Sequence, residues 1–164
     1  MTSLAHPGGS IIGVTLFDVE FYAKRLQILK EAVPSASKIA WLDVRSFEGP
    51  GGRPWQQAFQ EANLRLQISL IPMLLQESTP SEYQRVFAEI AQNRPDAIVV
   101  SDIGDLIPYR QLILELVEKS RLPAIYGYRE FVEAGGLMAY AAAAHGRRRA
   151  RDPQRRQTGR HPDL

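Results

Sequence analysis

The run Asp96–Asp102, DAIVVSD, is apolar at four consecutive positions, 97–100, and carries an aspartate at each end. A strand with one wet face alternates apolar and polar residues. An unbroken apolar run bounded by polar residues instead fits a strand covered on both faces. Such strands belong to parallel sheets whose crossovers are helices. The flanking sequence supplies the matching pieces. IIGVT (11–15), KIAWLDV (38–44), Gln67–Leu75 and Pro123–Tyr126 read as further strands. Phe17–Val33 reads as a helix with Tyr22, Leu26, Leu29 and Val33 on one face, ended by Pro34. Trp55–Leu66 is a second helix. A third starts at Pro80, with a Thr79/Glu82 capping box and Tyr83, Phe87 and Ile90 inward. Pro108 opens a fourth, with Leu112, Ile113, Leu116 and Val117 inward, and Arg129–Ala134 is a short fifth. Pro72 inside the third strand argues for a bulge, an edge or an early end. SFEGPGGRP (46–54) is a loop. The expectation is an α/β fold: a doubly wound parallel sheet of about five strands with helices on both faces.

The 164 residues are enough for one domain with a sizeable core. The formal net charge of +2 hides an asymmetry. Residues 141–164 hold seven Arg and two Asp, while the remainder is net negative. The basic character belongs to the tail, so nucleic acid is disfavoured as a partner of the whole chain. The division expected on this basis is one lobe over 1–140 followed by an Arg-rich tail over 141–164 whose default is disorder. Cysteine is absent, which excludes disulfides and thiolate metal sites. There is no run of 18 apolar residues, and MTSLAHPGGS lacks the basic and apolar regions of a secretory signal.

Enzyme signatures are missing. The histidines sit at 6, 145 and 161, so the core has no imidazole base, and there is no thiol nucleophile. PGGSIIG lacks the Lys-Ser/Thr end of a phosphate-binding loop, and GPGGRP has the wrong spacing for a dinucleotide fingerprint. No His/Asp/Glu cluster has metal-ligand spacing. No catalytic residue, cofactor or metal is implied. A flavodoxin-like enzyme is therefore the least favoured reading.

Ligands of open parallel sheets sit at the carboxyl ends of the strands. The residues there are Thr15–Phe17, then Asp43, Arg45 and Ser46, then Gln76–Ser78. Ser101, Asp102 and Gly104 follow the next strand, and Tyr126–Tyr128 the last. The set suits a small zwitterion. Thr15, Ser46 or Arg45 can hold a carboxylate, Asp102 an ammonium group, and Tyr126 or Phe17 can cover an apolar side chain.

Three stretches carry a resemblance: PGGSIIGVT at 7–15, KRLQILKEAVP at 24–34 and LPAIYGYREFVEAGGLMAY at 122–140. In these the chain resembles the substrate-binding proteins of ABC transporters, the type whose members bind tryptophan, tyrosine or related solutes. The resemblance implies the type I periplasmic-binding-protein fold, with two α/β lobes closing on a solute, and covers one lobe, about residues 4–140. It implies solute capture for an importer, an ABC permease as partner of the intact protein, and a place outside the cytoplasmic membrane. As given, the chain shows no export signal, so a cytoplasmic place is expected if it is expressed in this form. The loops after DAIVVSD and PAIYG line the cleft in the family, which points to Asp102 and Tyr126. The loop after the second strand departs from the family's Asn-Pro or Asn-Ser, reading Asp43-Val44-Arg45-Ser46. Gly135 and Gly136 suit a helix end and a tight strand entry. The resemblance adds a hinge role for them, and for Gly8 and Gly9 at the opposite crossover.

The tail has its own reading. One permitted codon choice for Arg151–Asp163, followed by the CT of a leucine codon and read one base later, encodes AIRNGAKPGDIPI, which matches the family's continuation. Residues after about 141 are thus expected to be out-of-frame sequence and the chain a truncated fragment. The alternative is an authentic basic tail for nucleic acid or anionic lipid. For the lobe, the alternative to an importer component is a stand-alone small-ligand-binding or regulatory module that homodimerises.

Overall fold

A computed structural model of the protein describes the backbone of residues 9–44 and 60–141, and the side chains of 20–44 and 60–141. Gly8, Arg45, Ser46, the loop expected at 46–54 and the tail from 142 lie outside the described residues. Helix α1 spans Gly9–Ala32 and leads into strand β1, Lys38–Val44. Residues 60–66 are helical and form α2. Strand β2 is Ser69–Leu75, α3 is Pro80–Asn93 and β3 is Ala97–Val100. A 3₁₀ turn, Gly104–Tyr109, precedes α4, Arg110–Ser120. Strand β4, Ala124–Tyr126, and α5, Arg129–Glu133, complete the order.

The four strands form one parallel sheet in the order β2-β1-β3-β4. Alternation along each strand divides the core. Ala40, Leu42, Val44, Met73, Leu75, Ile98, Val100, Ala124 and Tyr126 face α3, α4 and α5. Ile39, Trp41, Ala97, Val99 and Ile125 face α1 and α2. Tyr22, Leu26 and Leu29 of α1 are buried there, and Val33 packs at the edge. Full burial of each such apolar side chain contributes about 1.5–3 kcal/mol. The doubly wound parallel fold expected from sequence is the one observed.

Several local expectations are corrected. Ile11–Thr15 is not a strand: it is the amino-terminal part of α1, so the described sheet has four strands, not five. β-Branched residues favour strands only where a sheet pairs with them, and no strand of the described sheet pairs with 11–15. The Thr79 capping box is not formed. Glu82 Oε1 instead accepts from the Gln76 amide at 2.9 Å and holds Arg85. Pro108 lies within the 3₁₀ turn rather than opening α4. The strand entry expected after Gly136 amounts to a single parallel bridge, Tyr126 to Ala139. Pro72 falls on edge strand β2, opposite Trp41, where its missing N–H breaks no ladder.

Candidate functional site

The chain leaves β1 to one side for β2 and then crosses to the other side for β3. The strand order therefore reverses between β1 and β3, and the crevice at their carboxyl ends is where open α/β sheets bind ligands. Asp43 is the penultimate residue of β1, on the face turned to α1, and Ser101 and Asp102 follow β3 directly. From α1, the Tyr22 hydroxyl donates to Asp102 Oδ1 at 2.6 Å and Arg25 Nη2 to Asp102 Oδ2 at 2.9 Å. Arg25 Nε donates to the Tyr140 carbonyl at 2.7 Å. The Tyr128 hydroxyl, beyond β4, donates to the Asp102 carbonyl at 2.6 Å. Trp41 Nε1 donates to Asp43 Oδ2 at 3.0 Å, and the Val44 amide to Oδ1 at 2.7 Å. The Tyr22 ring tilts against Trp41 with centroids 4.5 Å apart, and the Arg25 guanidinium lies 4.9 Å over the Tyr22 ring.

Gly127 makes this arrangement possible. A Cβ there would stand 2.6 Å from the Asp102 amide nitrogen, inside contact distance, so only glycine lets β4 end against Asp102. The Gly127 amide donates to the Val100 carbonyl at 2.9 Å, fixing that approach.

The two carboxyls are held oppositely. Burial pushes Asp43 above the ordinary aspartate value, and the hydrogen bonds from Trp41 and the Val44 amide only partly offset it. Burial works in the same direction on Asp102. There the hydrogen bond and charge of Arg25, with the Tyr22 hydroxyl, outweigh it and hold the carboxyl below its ordinary range. Burial, then the charge and hydrogen bond of Asp102, drive the Tyr22 hydroxyl up, so it stays a donor. Arg25 is wholly buried while the Asp102 side chain is 23% exposed. An ionised acceptor is thus fixed from behind and open in front.

The residues expected from sequence fall in different places. Asp102 is at the centre. Tyr126 is 2% exposed and stacks on Phe131, centroids 4.9 Å apart, under Gly136; burial pushes its hydroxyl up to about 12. It is part of the apolar core on the far face. Thr15 and Phe17 lie in α1 with side chains outside the described residues, as do Arg45 and Ser46 entirely. Gly9 is the first residue of α1. Gly135, at φ +119°, and Gly136 end α5: their amides donate to the Val132 and Phe131 carbonyls at 3.0 and 2.8 Å, the pattern of a glycine-closed helix. Sequence reasoning missed Arg25 and the polar role of Tyr22. The signal was present: Arg25 shares the stripe of Tyr22, Leu26 and Leu29, where a charge is out of place.

A cleft of about 420 Å³ opens elsewhere, between α4, the start of β4 and the end of α5, lined by Leu114, Leu122, Ala124, Tyr126 and Gly136. Its charged groups, Glu115, Glu118 and Arg121, are exposed. It holds no fixed, buried acceptor or donor comparable to the Asp102 cluster. Among the described residues, no group of His, Asp and Glu is placed to hold a metal ion, and no helix is long and apolar enough to cross a membrane.

No family model and no curated protein sequence matches the chain. Solved structures do. A conserved domain protein from Vibrio cholerae is 13% identical, with a TM-score of 0.60 over 73% of this chain and 38% of its own. An ABC domain from Streptococcus pneumonia, in complex with L-Trp, is 15% identical, with a TM-score of 0.62 over 74% of this chain and 39% of its own. A substrate-binding protein with adhesive properties from Clostridium difficile, ligand-free and open, is 17% identical, with a TM-score of 0.56 over 70% and 37%. The shared property is the fold. The chain spans under two-fifths of the length of each of these proteins, about one lobe.

Proposed function

We propose that the lobe supplies one wall of a solute-binding cleft, as part of the solute-binding component of an ABC-type importer acting outside the cytoplasmic membrane. Its role is binding rather than catalysis. The observation that carries this reading is Asp102, ionised, fixed by Tyr22, Arg25 and Tyr128, and partly open at the point where the strand order reverses. A partly exposed carboxylate already oriented is a ready partner for an ammonium group, because little ordering cost remains on binding. The solute class is a small zwitterion such as an amino acid. L-Trp in one structural neighbour supports that class without fixing the side chain. Closure of a second lobe would supply the remaining contacts and bring in the permease as partner.

A single wall binds weakly, with a dissociation constant of about 1 mM or above. Ligand-observed NMR with the common amino acids, L-tryptophan included, is matched to that range. Saturation transfer from the protein to at least one of them, lost in Asp102→Asn, supports the reading. Transfer that is the same in Asp102→Asn overturns the role of Asp102, and no transfer to any of them overturns the solute class.

The second reading, a stand-alone module that homodimerises, draws on Leu137 and Val132, 93% and 41% exposed beside each other near α5. The β2 edge does not favour pairing of copies: Pro72 lacks a donor and Arg85 Nη2 reaches the Leu74 carbonyl at 3.5 Å. Sedimentation of the chain as a concentration-independent monomer would dismiss this alternative.

A further inference from the structure

Arg25 does two things with one side chain. Nη2 pairs with Asp102 at the carboxyl end of β3, and Nε donates to the carbonyl of Tyr140, where the described chain leaves the sheet. These partners are 38 residues apart in the chain and do not touch through any other described hydrogen bond. The Tyr140 segment is otherwise held by backbone pairing and by partly buried side chains packed at the edge of the core. Its amide donates to the Tyr126 carbonyl at 3.0 Å, the Tyr126 amide donates to the Met138 carbonyl at 3.0 Å, and the Tyr140 ring meets Phe21 of α1 at 5.6 Å. Leu137, one turn of chain earlier, is almost wholly exposed. The Arg25 guanidinium itself is buried, and its Nη1 has no partner. A planar buried fork with a spare donor cannot give up one acceptor without moving on the other, because its five N–H groups are rigidly joined.

We propose that Arg25 is the positioning residue of the strand-end site and makes it one unit with Met138–Tyr140, so that whatever draws on the Asp102 carboxylate is felt at Tyr140. An ammonium-bearing solute is one such agent, and to that extent the inference rests on the function proposed above. A proton on Asp102 is another and needs no solute. Two sites joined through one shared side chain couple by roughly 5–150-fold in equilibrium terms.

The test uses the full chain without solute, so its failure is separate from a failure of solute binding. Amide hydrogen exchange is followed at Ala139 and Tyr140, in the unaltered chain, Asp102→Asn, Arg25→Lys, Arg25→Met and the double variant Arg25→Met/Asp102→Asn. In Asp102→Asn, which does not touch Tyr140, exchange at the Tyr140 amide rises about tenfold relative to the α3 amides, a mid-range coupling. Arg25→Lys recovers part of the protection lost in Arg25→Met. The double variant adds nothing to Arg25→Met alone. Unchanged Tyr140 exchange in Asp102→Asn, with α3 still protected, overturns the proposal, as does simple additivity in the double variant. If a variant fails to fold, acid titration of the unaltered chain decides. The Asp102 carboxyl is faced by Tyr22 and Arg25 from α1 and by the charge of Asp43 from β1, while the Tyr128 hydroxyl beyond β4 holds the Asp102 carbonyl. The Tyr140 carbonyl ¹³C shift follows the Asp102 carboxyl ¹³C titration if the coupling exists. A Tyr140 carbonyl that ignores that titration overturns it.

Discussion

The two faces of the sheet are built from the same four strands and do different work. The face toward α3, α4 and α5 is almost wholly apolar, from Ala40 and Met73 to Ile113 and Phe131. The face toward α1 is apolar along its amino-terminal half and then changes. Ile39 and Trp41 are followed by Asp43, and Val99 by Ser101 and Asp102, and α1 answers with Tyr22 and Arg25. One face holds the lobe together by volume, and its energetics should be indifferent to protons. The other is held at its carboxyl end by charge and hydrogen bonds, and should titrate.

The largest effect is expected on the apolar face. Phe131→Ala removes a fully buried ring stacked on Tyr126 and should cost about 3–5 kcal/mol in urea unfolding, equally at acid and neutral pH. A marked pH dependence of that loss would break the comparison. Gly127→Ala comes next. It drives a Cβ into the Asp102 backbone and should cost about 1–3 kcal/mol, and unlike Phe131→Ala it should displace the Asp102 amide resonance.

Asp43→Asn sharpens the contrast through its sign. Asp43 is raised in the fold, so its contribution to stability is full below the ordinary aspartate value and is lost as pH rises through its raised one. Asp102 is lowered, so its contribution is present above the ordinary value and is lost as pH falls through its depressed one. Removing the charge at Asp43 should therefore shift the stability difference in the variant's favour as pH rises from about 4 to about 8. A difference that stays flat would mean Asp43 is not strained by burial. The smallest change lies outside both faces. Arg121 ends α4 with φ 55°, where glycine is less strained, and Arg121→Gly should gain about 0.5–1 kcal/mol.

How much of this was legible depends on what each residue answers to. Strand β1 was readable to the residue, because the sequence of Lys38–Val44 is bounded by a proline at 34 and a glycine- and proline-rich stretch at 46–54. The α1 and α3 stripes were readable because Tyr22, Leu26 and Leu29, and Tyr83, Phe87 and Ile90, repeat at helical spacing. Ile11–Thr15 misled because a β-branched pentapeptide looks alike whether or not a strand lies beside it. Thr79 and Glu82 had the right spacing for a capping box, but Arg85 and the Gln76 amide took the carboxylate. At the site, Asp102 was singled out by its strand-end position together with the resemblance. Its supports were not, because Arg25 is 77 residues from it and periodicity carries no information about pairing across that distance. Tyr126 was placed at the right strand end, but the side of the sheet it faces depends on register, and register sends it to the apolar core.

The most direct test of the central claim is a ¹⁵N–¹H NMR map of where L-tryptophan, or the strongest amino-acid ligand found, perturbs the chain. Shift changes are expected to centre on Val44, Ser101, Asp102, Gly127 and Tyr128, at the carboxyl ends of β1, β3 and β4. Changes centred instead on Leu114, Glu118 and Gly136, around the cleft beside α4, would contradict it.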